Sequence, residues 1–327
     1  MSRYHLGFGA RLPRASVALI ALALGLLAGP ASAGTYTVID LATLDEGATV
    51  VVRGVNGGGT AVGGGRVGGA RRGLLFTPGG LQAVDGVAGS DYSIVFDIND
   101  HGAVIGGSNA TTAARGFLRT AAGALRELAP LPGVAGQGSR ARALNDRGDV
   151  VGAANGGAGL RAVVWRGGGP ALQLGALPGR ATSEAIAVNA RGDIVGYSSD
   201  ATGARRATLW STGGAIVDLG ALPGGEFSQA LGINNAGHIV GTSMSSLGSR
   251  ACLWTPRDGL QDLNALVAPS SSVLTHATGI NRAGVIVAFG HEAVSHDADD
   301  GHDGHGHDDT HELPVRVFLL VPFGARP

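Results

Sequence analysis

One fourteen-residue pattern constrains this chain more than any other feature. It runs from Ser228 to Gly241 as SQALGINNAGHIVG and returns around Asn189 (SEAIAVNARGDIVG), Asn145 (SRARALNDRGDVVG) and Asn99 (SIVFDINDHGAVIG). Asn281 (THATGINRAGVIVA) and, more loosely, Asn56 (VVVRGVNGGGTAVG) carry it too. Successive asparagines are 43, 46, 44, 45 and 47 residues apart. Self-similarity at one fixed period implies stacked units that bury a core only together.

Each copy continues alike. About 20 residues after the Asn comes Arg-x-x-Leu-Trp or a relative: Arg161 to Trp165, Arg206 to Trp210, Arg250 to Trp254 and Arg72 to Phe76. Arg115 and Arg316 keep the Arg without the aromatic. A Gly-rich turn then leads to a segment typified by Val217-Asp218-Leu219, with relatives at Leu172 to Leu177, Leu125 to Leu131 and Gln261 to Leu266. The segments are short, rich in Val, Ile and Leu, and bounded by turn residues, which is how strands read. Asn at the first turn bonds its own backbone, and the Gly three residues on supplies a positive φ. The 58 glycines argue against long helices.

Four antiparallel strands per unit make one blade, so the expected fold is all-β, a β-propeller of six blades; an open β-solenoid is the alternative. The last copy stops after Arg316 to Leu320 with no fourth strand, whereas Tyr36 to Leu44 matches that missing strand. The two ends of the chain are therefore expected to share the final blade and remove an exposed sheet edge.

Residues 1–33 read as a signal peptide. Arg3, Arg11 and Arg14 precede the apolar run Ala15 to Ala28, and Ala31-Ser32-Ala33 fits a cleavage site. That run is short for a membrane span, and no later stretch qualifies. Residues 34–327 are then a single repeat domain, secreted or periplasmic. With the three leader arginines gone, 21 basic residues face 25 acidic ones. A weakly acidic chain with scattered Arg lacks the footprint of a nucleic-acid binder. Cys252, the only cysteine, stands where other copies carry small or apolar residues and reads as a buried hydrophobe.

The Ala-x-x-Ile-Asn-x-x-Gly-x-Ile-Val-Gly, Arg-Ala-x-Leu-Trp and Asp-Leu-Gly-x-Leu-Pro-Gly segments resemble the HAF-repeat family of probable extracellular bacterial proteins, over nearly the whole of residues 34–327. The resemblance implies an exported repeat protein and brings no catalytic residues with it.

Few side chains suggest chemistry. Six arginines recur at one blade position: Arg72, Arg115, Arg161, Arg206, Arg250 and Arg316. They form either an anion-binding ring or braces to the acidic position of the fourth segment (Asp218, Asp262, Glu127 or Asp40); recurrence in every copy favours braces. Trp165, Trp210 and Trp254 read as packing rather than a sugar platform. Gly63 to Gly68 spells a dinucleotide fingerprint, but no helix follows it.

Residues 291–312 form a His/Asp-rich insertion that the repeat does not explain. His291, His296, His302, His305, His307 and His311 are candidate ligands for zinc, copper or nickel, although their spacing is that of no structural zinc site. The richest other polar cluster is Asp91, Tyr92, Asp97, Asp100 and His101.

The leading expectation is an exported, non-catalytic binding or interaction protein whose partner is an extracellular protein or a glycan. A secreted carbohydrate-active enzyme on a propeller scaffold and divalent-metal capture by the His-rich insertion are the alternatives. The enzyme reading requires that polar cluster to converge on one face.

Overall fold

The computed structural model describes residues 49–322, except 68, 78, 111, 112, 134–137, 158, 269 and 293–314. Residues 1–33, expected to be a signal peptide, and the segment Tyr36 to Leu44 lie outside the described residues.

Twenty-three strands form six antiparallel sheets in chain order. The first sheet holds β1 (Thr49–Val55), β2 (Ala61–Val67), β3 (Ala70–Thr77) and β4 (Gly80–Val84). The second holds β5 (Ser93–Ile98), β6 (Val104–Ala110), β7 (Ala113–Arg119) and β8 (Leu125–Leu128). The third holds β9 (Ser139–Leu144), β10 (Val150–Gly156), β11 (Gly159–Trp165) and β12 (Ala171–Gln173). The fourth holds β13 (Thr182–Val188), β14 (Ile194–Ser199), β15 (Arg205–Trp210) and β16 (Ile216–Asp218). The fifth holds β17 (Ser228–Ile233), β18 (Ile239–Ser245), β19 (Gly248–Thr255) and β20 (Gly259–Asp262). The sixth has three strands among the described residues: β21 (Ser272–Ile280), β22 (Ile286–Glu292) and β23 (Arg316–Leu320).

The first strand of each later sheet packs across the sheet before it: β5 on β1–β3, β9 on β5–β7, β13 on β9–β11, β17 on β13–β15 and β21 on β17–β19. The ends of β1, β5, β9, β13, β17 and β21 all border one opening. Six sheets around one opening are a six-bladed propeller; an open solenoid would not bring its first and last units to the same cavity.

Sequence dictates the blade at three points. First, the turn asparagine does two jobs. Asn145 Oδ1 accepts from the backbone N–H of Arg147 (3.1 Å) and Asp149 (3.0 Å), closing its own turn. Gly148 takes φ +77° there and donates to the Asn145 carbonyl. Asn145 Nδ2 meanwhile donates to the Asn189 carbonyl of the next blade at 3.1 Å. The same bond runs from Asn56 to Asn99, Asn99 to Asn145, Asn189 to Asn234 and Asn234 to Asn281, at 3.1–3.2 Å.

Second, every first strand carries a bulge two to three residues before its Asn. The bulge drives a first-strand carbonyl toward the second strand. A Cβ at Gly63, Gly106, Gly152, Gly196, Gly241 or Gly290 would fall on the oxygen of Val51, Ile94, Arg140, Glu184, Gln229 or Val273 respectively. The Gly that ends Ile-Val-Gly therefore permits close backbone approach rather than a turn.

Third, a buried serine locks neighbouring blades. Ser139 Oγ accepts from Gly116 N–H (3.0 Å) and donates to the Leu128 carbonyl (2.6 Å), both in the preceding blade. Ser93, Ser183 and Ser228 do the same. Apolar clusters between successive sheets complete the core, for example Val195, Ala207, Leu222, Ala230, Ile239, Cys252 and Trp254.

One seam differs. Val51, Val52 and Val55 on β1 are 56–67% exposed, and Val317 and Leu319 on β23 are 60–65% exposed. No packing comparable to that between the other neighbours joins β1 to the sixth sheet among the described residues.

Candidate functional site

The opening is about 270 Å³ and is built in tiers. Each first strand ends in an apolar side chain: Val55, Ile98, Leu144, Val188, Ile233 and Ile280. Five of the six turn asparagines, Asn56, Asn99, Asn145, Asn189 and Asn234, also line the opening. Their polar atoms are largely committed to turns and to neighbouring blades, so this tier holds the ring together rather than presenting free donors.

The residue after each Asn forms the rim, and here the copies differ: Asp100, Asp146, Ala190, Asn235 and Arg282 line the opening, and Gly57 holds the equivalent position in the first blade. Where the rim side chain can accept, it bonds the rim N–H of the blade before it. Asp100 Oδ1 takes Gly57 N–H at 2.6 Å, Asp146 Oδ1 takes Asp100 N–H at 2.9 Å and Asn235 Oδ1 takes Ala190 N–H at 2.9 Å. Two carboxylates thus sit on the side of the second and third blades, and the Arg282 guanidinium sits on the sixth. Sequence reasoning named Asp100 but missed Asp146, Asn235 and Arg282. The available signal was that this single turn position changes its chemistry from copy to copy.

Asp97 lies on β5, two residues before Asn99, and is not among the residues that line the opening. Its Oδ1 accepts from Ile98 N–H (2.9 Å) and its Oδ2 from Leu144 N–H of the next blade (3.0 Å). Burial pushes its pKa up to about 6, outweighing those two bonds, which pull it down. The other members of its sequence cluster point elsewhere. Asp91 bonds the Asn109 side chain at the far end of β5, Tyr92 lines a cleft between the first two blades, and His101 is exposed on the turn. Asp91, Tyr92, Asp97, Asp100 and His101 do not share one site.

The recurrent arginines are braces. Arg115, Arg206 and Arg250 meet Glu127, Asp218 and Asp262 of the adjoining fourth strand at 2.9, 3.8 and 3.6 Å. Arg72 reaches Asp85 at 3.9 Å, and Arg316 pairs with Glu292 at 2.8 Å. Arg161, whose fourth strand offers Gln173 instead, bonds the carbonyls of Leu160 and Ala181. None of the six lines the opening.

The tryptophans are packing residues. Trp165 and Trp254 each donate Nε1–H to a carbonyl of the preceding blade, at Ala129 (2.8 Å) and Leu219 (2.6 Å). Trp210 Nε1 is buried without a partner. Cys252 is fully buried, and burial, reinforced by Asp262, pushes its thiol up to about 12. That thiol stays protonated and inert at neutral pH. Gly63 to Val67 belong to β2, which runs on into β3, so no helix N-terminus exists there to hold a pyrophosphate.

Of the six candidate metal ligands, only His291 lies among the described residues. It belongs to β22, where His291 pairs with Val273 and Glu292 with Ser272. The strand thus carries ladder pairing through residues expected in the insertion, which begins after Glu292. His296, His302, His305, His307 and His311 lie outside the described residues. Among the described residues no three His, Cys, Asp or Glu side chains cluster as metal ligands, and no helix is long and apolar enough to cross a membrane.

No protein-family model and no curated protein matches this sequence. Solved structures give distant likenesses. TolB from Acinetobacter baumannii aligns at 10% identity and TM-score 0.45, over 63% of this chain and 52% of its own. Virginiamycin B lyase from Staphylococcus aureus aligns at 12% identity and TM-score 0.46, over 74% of this chain and 80% of its own. The chain thus spans about half the length of TolB. At these scores the likenesses add nothing to the topology read directly from the sheets.

Proposed function

We propose that the protein is an exported, non-catalytic binding propeller of the HAF-repeat kind, which seats an extracellular protein or glycan at the mouth of its opening. The rim carries this reading. The turn asparagines recur in every copy, but the six equivalent positions that follow them carry Gly, Asp, Asp, Ala, Asn and Arg, of which only Asp100, Asp146 and Asn235 spend a side-chain oxygen on the neighbouring blade. A position freed from the repeat is where a ligand is read. The scatter of the Asp91–His101 cluster supports a binding role over catalysis, because general acid–base work needs two groups within reach of one substrate.

The test is a glycan and peptide binding screen on residues 34–327, repeated with Asp100→Asn, Asp146→Asn and Arg282→Gln combined. These changes remove rim charge while leaving an oxygen acceptor at both Asp positions. Loss of binding with an unchanged melting temperature is the expected result. Retained binding would move the site off the rim, and turnover of any bound glycan would make the protein an enzyme.

A second reading, capture of zinc, copper or nickel, rests on the sixth blade. Other blades close the turn between second and third strands tightly, as at Ser245–Gly248. In the sixth, the His/Asp-rich insertion of the sequence falls between those strands, and the Glu292–Arg316 ion pair joins the two flanking strands. Zinc titration of the full chain against a variant lacking residues 293–312 tests it; equal binding by both ends the idea.

A further inference from the structure

We propose that the cleft between the first and second blades, separate from the rim, is a binding site for a small ring-bearing oxyanion of the uronate or sulfated-sugar class. The cleft encloses about 320 Å³, at the small end of the range for small-molecule sites. Arg53, Arg66 and Arg71 line it with Tyr92 and Phe96, and Gly64 lies in its wall. Among the described residues none of the three arginines has a carboxylate within 4.0 Å, and Arg66 Nη1 donates only to the Gly69 carbonyl at 3.3 Å. The chain as a whole is slightly acidic, so the cluster does not reflect bulk basicity.

The placement of these residues points to an anion. Arg66 and Arg71 stand directly opposite each other across the β2–β3 ladder. Like charges facing across a ladder destabilise it. A bound oxyanion removes that cost, and two guanidinium forks offer it bidentate bonds. Arg53, at the bulge of β1, sits 5.6 Å from the centre of the Phe96 ring and is held over the cleft by that stacking. Tyr92 and Phe96 supply flat apolar surface for a sugar ring. A Cβ at Gly64 would collide with the Ile94 side chain at 2.9 Å, so a larger residue there would disturb the cleft.

The probes are sodium glucuronate, sodium sulfate and glucose, each titrated into the full chain by calorimetry and followed by thermal unfolding. Glucuronate is expected to bind saturably, sulfate at least about tenfold more weakly and glucose not measurably, with affinity falling as salt rises. Arg66→Ala should abolish the gain in melting temperature from glucuronate. In the absence of anion it should leave the melting temperature unchanged or raise it, because it relieves the Arg66–Arg71 repulsion. Arg53→Lys keeps the charge but loses the fork, and should weaken glucuronate at least about tenfold. The proposal is overturned if glucose or sulfate matches glucuronate, if no glucuronate binding is seen up to about 10 mM, or if Arg66→Ala destabilises the free protein while binding persists.

Discussion

Asn145 of the third blade donates its side-chain amide to the backbone carbonyl of Asn189 in the fourth, at 3.1 Å, while its own oxygen closes the turn it sits in. Asn145 is 6% exposed, so its own side-chain groups cannot fall back on water. Asn145→Ala leaves two turn N–H groups without partners and the Asn189 carbonyl with only the Gly192 N–H of its own turn. It should lower unfolding free energy by about 2–3 kcal/mol in urea titration. Asn145→Asp keeps the acceptor, loses the donor and places a carboxylate beside Asp149; it should not rescue. A loss below about 0.5 kcal/mol for Asn145→Ala would show that the belt contributes little.

Gly196 and Gly203 separate two uses of glycine. A Cβ at Gly196 lands on the Glu184 carbonyl, whereas one at Gly203, at φ +88°, meets nothing. Gly196→Ala must push two strands apart and should cost about 3 kcal/mol or abolish folding. Gly203→Ala should cost only about 1 kcal/mol. Equal effects in thermal unfolding would contradict the close-approach account.

Trp254 and Trp210 differ by one hydrogen bond at equivalent positions. Replacing each by Phe removes the indole N–H. Trp254→Phe orphans the Leu219 carbonyl and should be about 1 kcal/mol worse than Trp210→Phe, which also removes a buried unpaired donor. Denaturant midpoints of the two variants check the order.

Asp97 makes stability depend on pH. Its folded pKa, raised to about 6, lies above its value of 3.8 in the unfolded chain. Its contribution is therefore fully present below about pH 4, where both states hold the proton. It fades as pH rises through 6, because the folded state ionises last. The linkage amounts to about 3 kcal/mol between those limits. Asp97→Asn cannot titrate, so its stability relative to the parent should climb by that amount from pH 4 to pH 7. A pH-independent difference would mean that Asp97 ionises normally.

The expectation that the two ends of the chain share the sixth blade is testable through register. Thr208 pairs with Asp218 and Leu209 with Val217. If Tyr36 to Leu44 supplies that strand, as the repeat predicts, the same offsets from Arg316 and Asp40 would set Leu319 opposite Ile39. Ile39→Cys with Leu319→Cys should form a disulfide within one chain, undisturbed by the buried thiol of Cys252. A link only between two chains would show that the strand is exchanged between copies. No link at all would leave the exposed valines of β1 and β23 uncovered by this strand.

The sequence made the blades, the Asn turns and the Arg braces legible because each is local or recurs at the 45-residue period. Ser139, Ser183 and Ser228 were legible too, each six residues before its Asn, yet the reading passed over them. Other features depend on what lies across a blade boundary. Nothing near Gly196 in sequence shows that the Glu184 carbonyl fills its side-chain space. Asp97 looks like any surface acid until β9 supplies the Leu144 N–H. Arg53, Arg66 and Arg71 sit outside the recurrent arginine position, so the period that exposed the braces hid the cleft.

The Asn-to-Asn bonds all point the same way, from an earlier blade to a later one. During synthesis each new blade is therefore incomplete at its turn until its successor leaves the ribosome. A chain lengthening from its N-terminus carries an unfinished leading unit at every stage and can settle only when the last unit arrives. Ring closure, rather than the folding of any single blade, is then the step that completes the molecule.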